Sequence, residues 1–198
     1  MSDRTQPPAR RGRPRSEKTR AAIVCAARDL LAEGGMSAAT TEAIAARAGC
    51  SKATIYKWWP SRAAVLLEGL FDLTRATIEV PEGLSLEAAL RGQLTAAMEI
   101  FREGATGPLV RTLVGEAVGD PAVAEALREQ WIGPRRVVSV RILRDAVARG
   151  ELRPDTDLEA ASDQLFAPLY HRLNFGHAPL DDGLPAVLVD QLLRGLRV

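Results

Sequence analysis

The twenty residues from Thr40, TTEAIAARAGCSKATIYKWW, constrain the fold of this chain more than any other stretch. Their small and apolar residues fall where two short helices crossing at a tight turn need them. Ala45 is small where the helices approach most closely, Ile44 and Ala48 face a core, and Gly49 can take the left-handed conformation that ends the first helix. Cys50 fills a small apolar site in the turn, and Ser51 is placed to cap the second helix. In that second helix Ile55 points inward and Trp58 or Trp59 closes the turn. Lys52, Ala53, Thr54, Tyr56 and Lys57 are left on the outer surface or its flanks.

The rest of the chain reads as helix too. Aromatic residues make up only 5% of 198 residues, and long stretches are dominated by Ala, Leu, Arg and Glu, which favour helix. The fold class is all-α, with about nine helices. Ser16 is the expected cap of a first helix that buries Ile23, Ala26, Ala27, Leu30 and Leu31 and stops at Gly34–Gly35. Ser61, after Pro60, caps a longer helix through Val65, Leu66, Leu70 and Phe71 that is expected to reach the turn around Val80–Gly83 and to act as a stiff lever. Helices follow over about 84–103 and 108–118. Asp120–Pro121 then starts a long segment ending at Arg149–Gly150, which Pro134 should kink or break near Trp131–Gly133. Two strongly apolar helices, about 157–175 and 182–196, close the chain. The expected division is a disordered basic arm over 1–15, a three-helix helix-turn-helix domain over 16–62 and a larger helical domain over 63–198.

Charge supports that division. Residues 1–62 hold 12 Lys and Arg against 5 Asp and Glu, whereas residues 63–198 hold 14 against 20, so a formal net charge of +1 conceals opposite ends. A basic end of this kind points to nucleic acid. The arm combines Pro7, Pro8, Gly12 and Pro14 with Arg10, Arg11, Arg13 and Arg15. Its Arg11–Gly12–Arg13–Pro14 core looks like an AT-hook, in which both arginines enter a narrow minor groove. The exposed surface of the second hairpin helix suits the major groove, with its first residues at base edges and Lys, Tyr and Ser or Thr hydroxyls on phosphates.

Other classes find little support. The N-terminus has no apolar core of a signal peptide and no run is long and apolar enough to cross a bilayer, so the expected location is the cytoplasm. Cys25 and Cys50 lack metal-ligand spacing and are expected to pack as thiols, and His171 and His177 are too few for a metal site. No Ser, His and acid arrangement, phosphate-binding loop or paired catalytic carboxylate stands out, so neither an enzyme nor a bound cofactor is expected. The alternatives are a helical enzyme or small-molecule carrier with an incidental basic end, and a redox sensor acting through Cys50.

The runs GRPRSEKTRAAIVCAARDLLAEGG and TTEAIAARAGCSKATIYKWWPSRAAVL resemble the N-terminal domain of the TetR family of transcriptional regulators, over about residues 12–70. Cys50 stands where that family usually has a branched apolar residue, and Trp58–Trp59 replaces the frequent His or Tyr followed by Phe. The resemblance implies that Thr41 caps helix two and contacts phosphate, that Lys52, Ala53 and Thr54 head the recognition helix, and that Tyr56, Lys57, Trp58 and Arg62 mainly contact the DNA backbone. It also implies a homodimer through the last two helices, where Leu165, Leu169 and Leu173 on one and Leu188, Leu192 and Leu196 on the other are candidates. An effector pocket among the middle helices would draw its lining from Phe71, Met98, Phe101, Leu113, Trp131 and Phe166, with Arg111, Glu116 and His171 as weaker polar candidates. The function implied is a repressor released from a palindromic operator on double-stranded DNA by an apolar or amphipathic small molecule.

Overall fold

The computed structural model describes residues 13–74, 80–81, 83–102 and 106–198. Ten α-helices follow one another: α1 (Arg13–Ala38), α2 (Thr41–Ala48), α3 (Lys52–Tyr56), α4 (Arg62–Thr74), α5 (Leu86–Arg102), α6 (Thr106–Ala117), α7 (Pro121–Ala126), α8 (Gly133–Ala148), α9 (Leu158–Phe175) and α10 (Leu184–Leu196). A π-helical turn, Leu127–Ile132, joins α7 to α8 without a break, so the described residues form nine separate rods. The extended pairing among them is a single bridge between Leu152 and Arg197.

α1 begins at Arg13, three residues before the expected cap, so Arg13–Arg15 are helical rather than part of an arm. Arg11 and the rest of the arm before Arg13 lie outside the described residues. The expected stop at Gly34–Gly35 appears as a sharp kink: Gly34 adopts φ −154° and ψ 20°, and Gly35 adopts φ 62° and ψ −152°. The positive φ at Gly35 is one that a side chain resists. The stripe of Ile23, Ala26, Ala27, Leu30 and Leu31 is buried as expected and packs on α2 and α4.

α4 is described as far as Thr74, and its expected extension through residues 75–79 lies outside the described residues. Its face is fully committed: Val65, Leu66, Leu67 and Leu70 are all buried, joining the small N-terminal unit to the π turn and α7. Ser85 caps α5, its Oγ accepting from the Ala88 N–H at 3.2 Å, and Asp120 caps α7 through the N–H groups of Ala122 and Val123. Pro134 does not break the long segment. Lacking an N–H, it sits in the first turn of α8, and the disruption is absorbed just upstream, where the Gly133 N–H reaches back five residues to Arg128 O. Glycine is required there, since a Cβ at residue 133 would lie 2.9 Å from that carbonyl oxygen.

α9 is capped by Asp157 and ended by Gly176 at φ 62°, and it carries Pro168 in its interior. Several leucines expected at a dimer interface are instead packed within the chain. Leu165, Leu169 and Leu192 are buried, and Leu173, Leu188 and Leu196 are half-buried against the same core. The two helices turn these leucines toward α5 and toward each other, because one chain already supplies the surface that covers them. Their exposed faces are different residues: Ala160, Gln164, Ala167, His171 and Phe175 on α9, and Val187 and Gln191 on α10.

Cys25 is exposed, not packed in the core, because it lies on the outer side of α1 with its Sγ 3.1 Å from an Arg28 guanidinium nitrogen. No helix among the described residues is long and apolar enough to cross a membrane.

Candidate nucleic-acid interface and effector cavity

The hairpin of α2 and α3 is built by its caps. Thr40, not Thr41, caps α2: its Oγ1 accepts the Ala43 N–H at 3.1 Å, while Thr41 follows as the first helical residue and is buried. The sequence carries two threonines in succession, and the extended backbone of Thr40 settles which one caps. Gly49 takes φ 66° and ψ 36°, and the Cys50 N–H returns to Ala45 O at 3.0 Å, closing α2 in the left-handed turn expected of it. Ser51 Oγ accepts the Thr54 N–H at 3.2 Å and also lies 2.9 Å from Thr54 Oγ1. The cap thus occupies both hydroxyls.

Ile55 is buried, and Trp59 rather than Trp58 closes the turn. The Trp59 indole N–H donates to Glu68 Oε2 at 2.6 Å, Glu68 also pairs with Arg20, and the Arg20 guanidinium lies 5.5 Å from the Trp59 ring centroid. This cluster ties the end of α3 to α1 and α4. Trp58 is 38% exposed and Tyr56 50%, so both face outward together with Lys52, Ala53 and Lys57. That outward surface is continuous, with Ser51 at its start.

Two of the charges expected at DNA are engaged within the chain. Lys52 Nζ lies 2.7 Å from Glu42 Oε1, an exposed pair that raises the Lys52 pKa and lowers that of Glu42 through their mutual hydrogen bond. Arg62, expected as a backbone contact, turns inward: its guanidinium donates to Met36 O at 2.7 Å, and its Nε is buried without a partner. As the first residue of α4 it braces the last turn of α1 just after the kink. The backbone of Arg13 opens α1, and its side chain lies outside the described residues. Cys50 is half-buried, and burial pushes its thiol pKa up, which disfavours the reactive thiolate that a redox sensor needs.

Apart from the hairpin, a cavity of about 640 Å³ opens between α6, the π turn, the start of α8 and α9. Trp131 and Phe166 line it as expected. Met98, Phe101 and Leu113 do not, since they are buried in the core, and Phe71 is half-buried on α4 away from the lining. Phe101 supports the cavity from behind, its ring edge-on to Tyr170 with centroids 5.1 Å apart. Arg111 and Glu116 are exposed and outside the lining, whereas His171 is part of it. The His171 ring also lies 4.4 Å from that of His177, and among the described residues no cluster of three or more His, Cys, Asp or Glu could hold a metal ion.

Periodicity gave no sign of the polar groups of this cavity. Arg135 is 9% exposed, donates to Trp131 O at 3.0 Å and to Thr74 Oγ1 at 2.8 Å, and rests 3.7 Å from the Trp131 ring centroid. The Trp131 indole N–H donates in turn to the Tyr170 hydroxyl at 2.9 Å. Burial raises the Tyr170 pKa, which keeps that hydroxyl neutral, and pulls Arg135 down to about 10, still charged at neutral pH. Ser162, another lining residue, shares a 2.7 Å hydrogen bond with Ser139. Arg135 lies four and eight residues before the buried Ser139 and Leu143, on the core side of α8, a place that an apolar pattern does not flag because the residue is charged.

Comparison with known proteins finds two family matches along the chain. Residues 23–68 match the family described as bacterial regulatory proteins, tetR family, and residues 80–192 match the tetracyclin repressor-like C-terminal domain. The chain is 34% identical over 190 residues to the uncharacterized HTH-type transcriptional regulator YdeS of Bacillus subtilis, covering 96% of this chain and 95% of that protein. It is 31% identical over 182 residues to the DNA-binding transcriptional repressor TetR of Mycobacteroides abscessus, covering 90% and 94%. Among solved structures, the TetR family transcription regulator SCO0332 is 35% identical and superposes with a TM-score of 0.83 over 90% of this chain and 98% of that one.

Proposed function

The chain belongs to the TetR family of transcriptional regulators, and on that premise we propose that it is a cytoplasmic, homodimeric repressor released from a palindromic operator by a small amphipathic effector. The observation that carries this reading is the double attachment of α4. Its buried face packs on α1 of the DNA-binding unit, while Thr74 at its far end receives a hydrogen bond from Arg135 in the cavity wall. Whatever moves Arg135 acts on the helix that holds the reading head.

In this reading α3 enters the major groove. Lys52, Ala53 and Tyr56 meet base edges and phosphates, Lys57 and the Trp58 indole N–H hold the backbone, and Arg11 of the N-terminal arm and Arg13 at the start of α1 reach the adjacent minor groove. Dimerisation uses the exposed faces of α9 and α10, which include Gln164, Ala167 and Val187, and leaves the leucine stripe inside each chain. Two recognition helices then address half-sites about 34–36 Å apart. The thirteen residues of α4 span about 20 Å at 1.5 Å per residue, long enough for a small tilt at Thr74 to spoil that spacing.

The test is selection of bound duplexes from a random pool, followed by fluorescence anisotropy on the selected sequence. The expected result is binding at least about a thousandfold tighter to the selected duplex than to unrelated DNA at the same salt. Equal affinity for both would refute sequence-specific regulation.

A further inference from the structure

The cavity contains one feature that an apolar pocket does not need. Arg135 is buried in its wall, and among the described residues no carboxylate forms an ion pair with it. Arg136 and Asp163 also line the cavity, but there the charge is already neutralised, since Glu159 and Asp163 both pair with Arg136. A buried guanidinium whose partners are a carbonyl, a hydroxyl and an indole face is solvated in part, but its charge is not neutralised. It keeps that charge at neutral pH.

The surroundings define what could neutralise it. Leu127, Ile132 and Val114 supply aliphatic walls, and Trp131, Phe166 and Phe175 supply rings. The volume of about 640 Å³ lies within the range of small-molecule sites. We propose that the cavity receives an amphipathic monocarboxylate, its apolar body among these side chains and its carboxylate paired with Arg135. A guanidinium fork matches a carboxylate in two parallel hydrogen bonds, and in a poorly hydrated wall such a pair is stronger than on a surface. A cationic ligand would meet an unneutralised positive charge, and a neutral one would leave the arginine without a counter-ion. The neutral Tyr170 hydroxyl, which accepts from Trp131, keeps its own proton available to donate to the second carboxylate oxygen. This inference names the chemical class of the effector in the function proposed above and rests on that reading.

The experiment is calorimetry on the full chain without DNA, using two matched pairs of probes: decanoate with decanol, and 2-naphthoate with 2-naphthylmethanol. One acid at least should bind about tenfold or more tightly than its alcohol. In Arg135→Gln the acid should weaken to within about threefold of the alcohol while the alcohol is unchanged, and Arg135→Lys should restore part of the preference. The comparison in the unaltered chain needs no variant to fold. The proposal is overturned if neither acid binds saturably, if acid and alcohol bind alike, or if Arg135→Gln keeps the preference or weakens acid and alcohol together, as an arginine of purely structural importance would. Because no DNA is present, a chain that prefers acids but binds no selected duplex refutes the regulatory reading and leaves the anion site standing. A chain that binds its duplex but shows no preference for acids does the reverse.

Discussion

Leu169 and Ala167 lie two residues apart on α9 and should fail in opposite ways. Leu169 is fully buried in the chain's own core, in the same row as Leu165 and Ala161, whereas Ala167 is exposed on the opposite face beside Gln164 and His171. Leu169→Ala removes buried methyl groups and leaves a cavity, a change that costs about 2–5 kcal/mol. For a chain of 198 residues each kcal/mol lowers the melting temperature by about 2–4 °C, so the midpoint should fall by about 4–20 °C. Ala167→Glu places a charge where the two copies are proposed to approach, and it should leave the fold intact while separating them. Thermal unfolding by circular dichroism reads the first effect, and sedimentation equilibrium reads the second against a chain mass of 21.3 kDa. An unchanged midpoint for Leu169→Ala would show that the leucine is not core. An undiminished dimer for Ala167→Glu at micromolar concentration would place the interface elsewhere.

At the DNA surface, Lys52→Ala should lower the slope of log affinity against log salt by about one, since Lys52 exchanges Glu42 for a phosphate on binding; anisotropy across a salt series measures it. Arg62→Ala should leave that slope unchanged and instead cost about 1–2 kcal/mol of stability in a urea titration, because its guanidinium holds Met36 O inside the domain. Trp59→Phe removes the hydrogen bond to the Glu68 carboxylate and should cost about 1.5–3 kcal/mol in the same titration; an unaltered midpoint would remove the clamp between α3 and α4.

The DNA-binding unit was legible because its requirements are local. Gly49, Ser51 and Ile55 each act within a few residues of their own position, through a left-handed turn, a cap and one inward side chain, and each is where the sequence put it. The choice between Thr40 and Thr41 was not legible, since both can cap and only the backbone entering α2 decides. Periodicity also identified the stripe on α9 and α10 correctly as apolar, but it cannot say which surface does the covering. Leu165 and Leu192 satisfy the same pattern whether they meet α5 of their own chain or a second copy. The cavity was the least legible part, because it forms where α6, α8 and α9 fail to fill space, and a failure to fill leaves no pattern in any one helix. Pro134 marked the right place for the wrong reason: a helix that must lose one hydrogen bond can tighten, break or widen, and here it widened into the π turn that presents Leu127, Trp131 and Ile132 to the cavity.

For the proposed switch, the energetics follow from that same turn. Arg135 stands at the first full turn of α8 and holds three partners at once: the Trp131 carbonyl at the end of the widened segment, the Trp131 ring, and Thr74 on α4. A carboxylate drawing its guanidinium into the cavity competes most directly with the neutral Thr74 hydroxyl, because that contact bridges two elements, whereas the two contacts to Trp131 travel with α8. Hydrogen bonds to charged groups contribute about 1.5–3 kcal/mol. Coupling of about 1–3 kcal/mol between two sites changes affinity by about 5–150-fold. A single exchange at Arg135 is therefore of the size that release from an operator requires, with no need for a rearrangement of the core between them. Under that proposal reciprocity follows from the same balance: DNA that holds α4 in place and strengthens the Thr74 contact must weaken the carboxylate by the same factor.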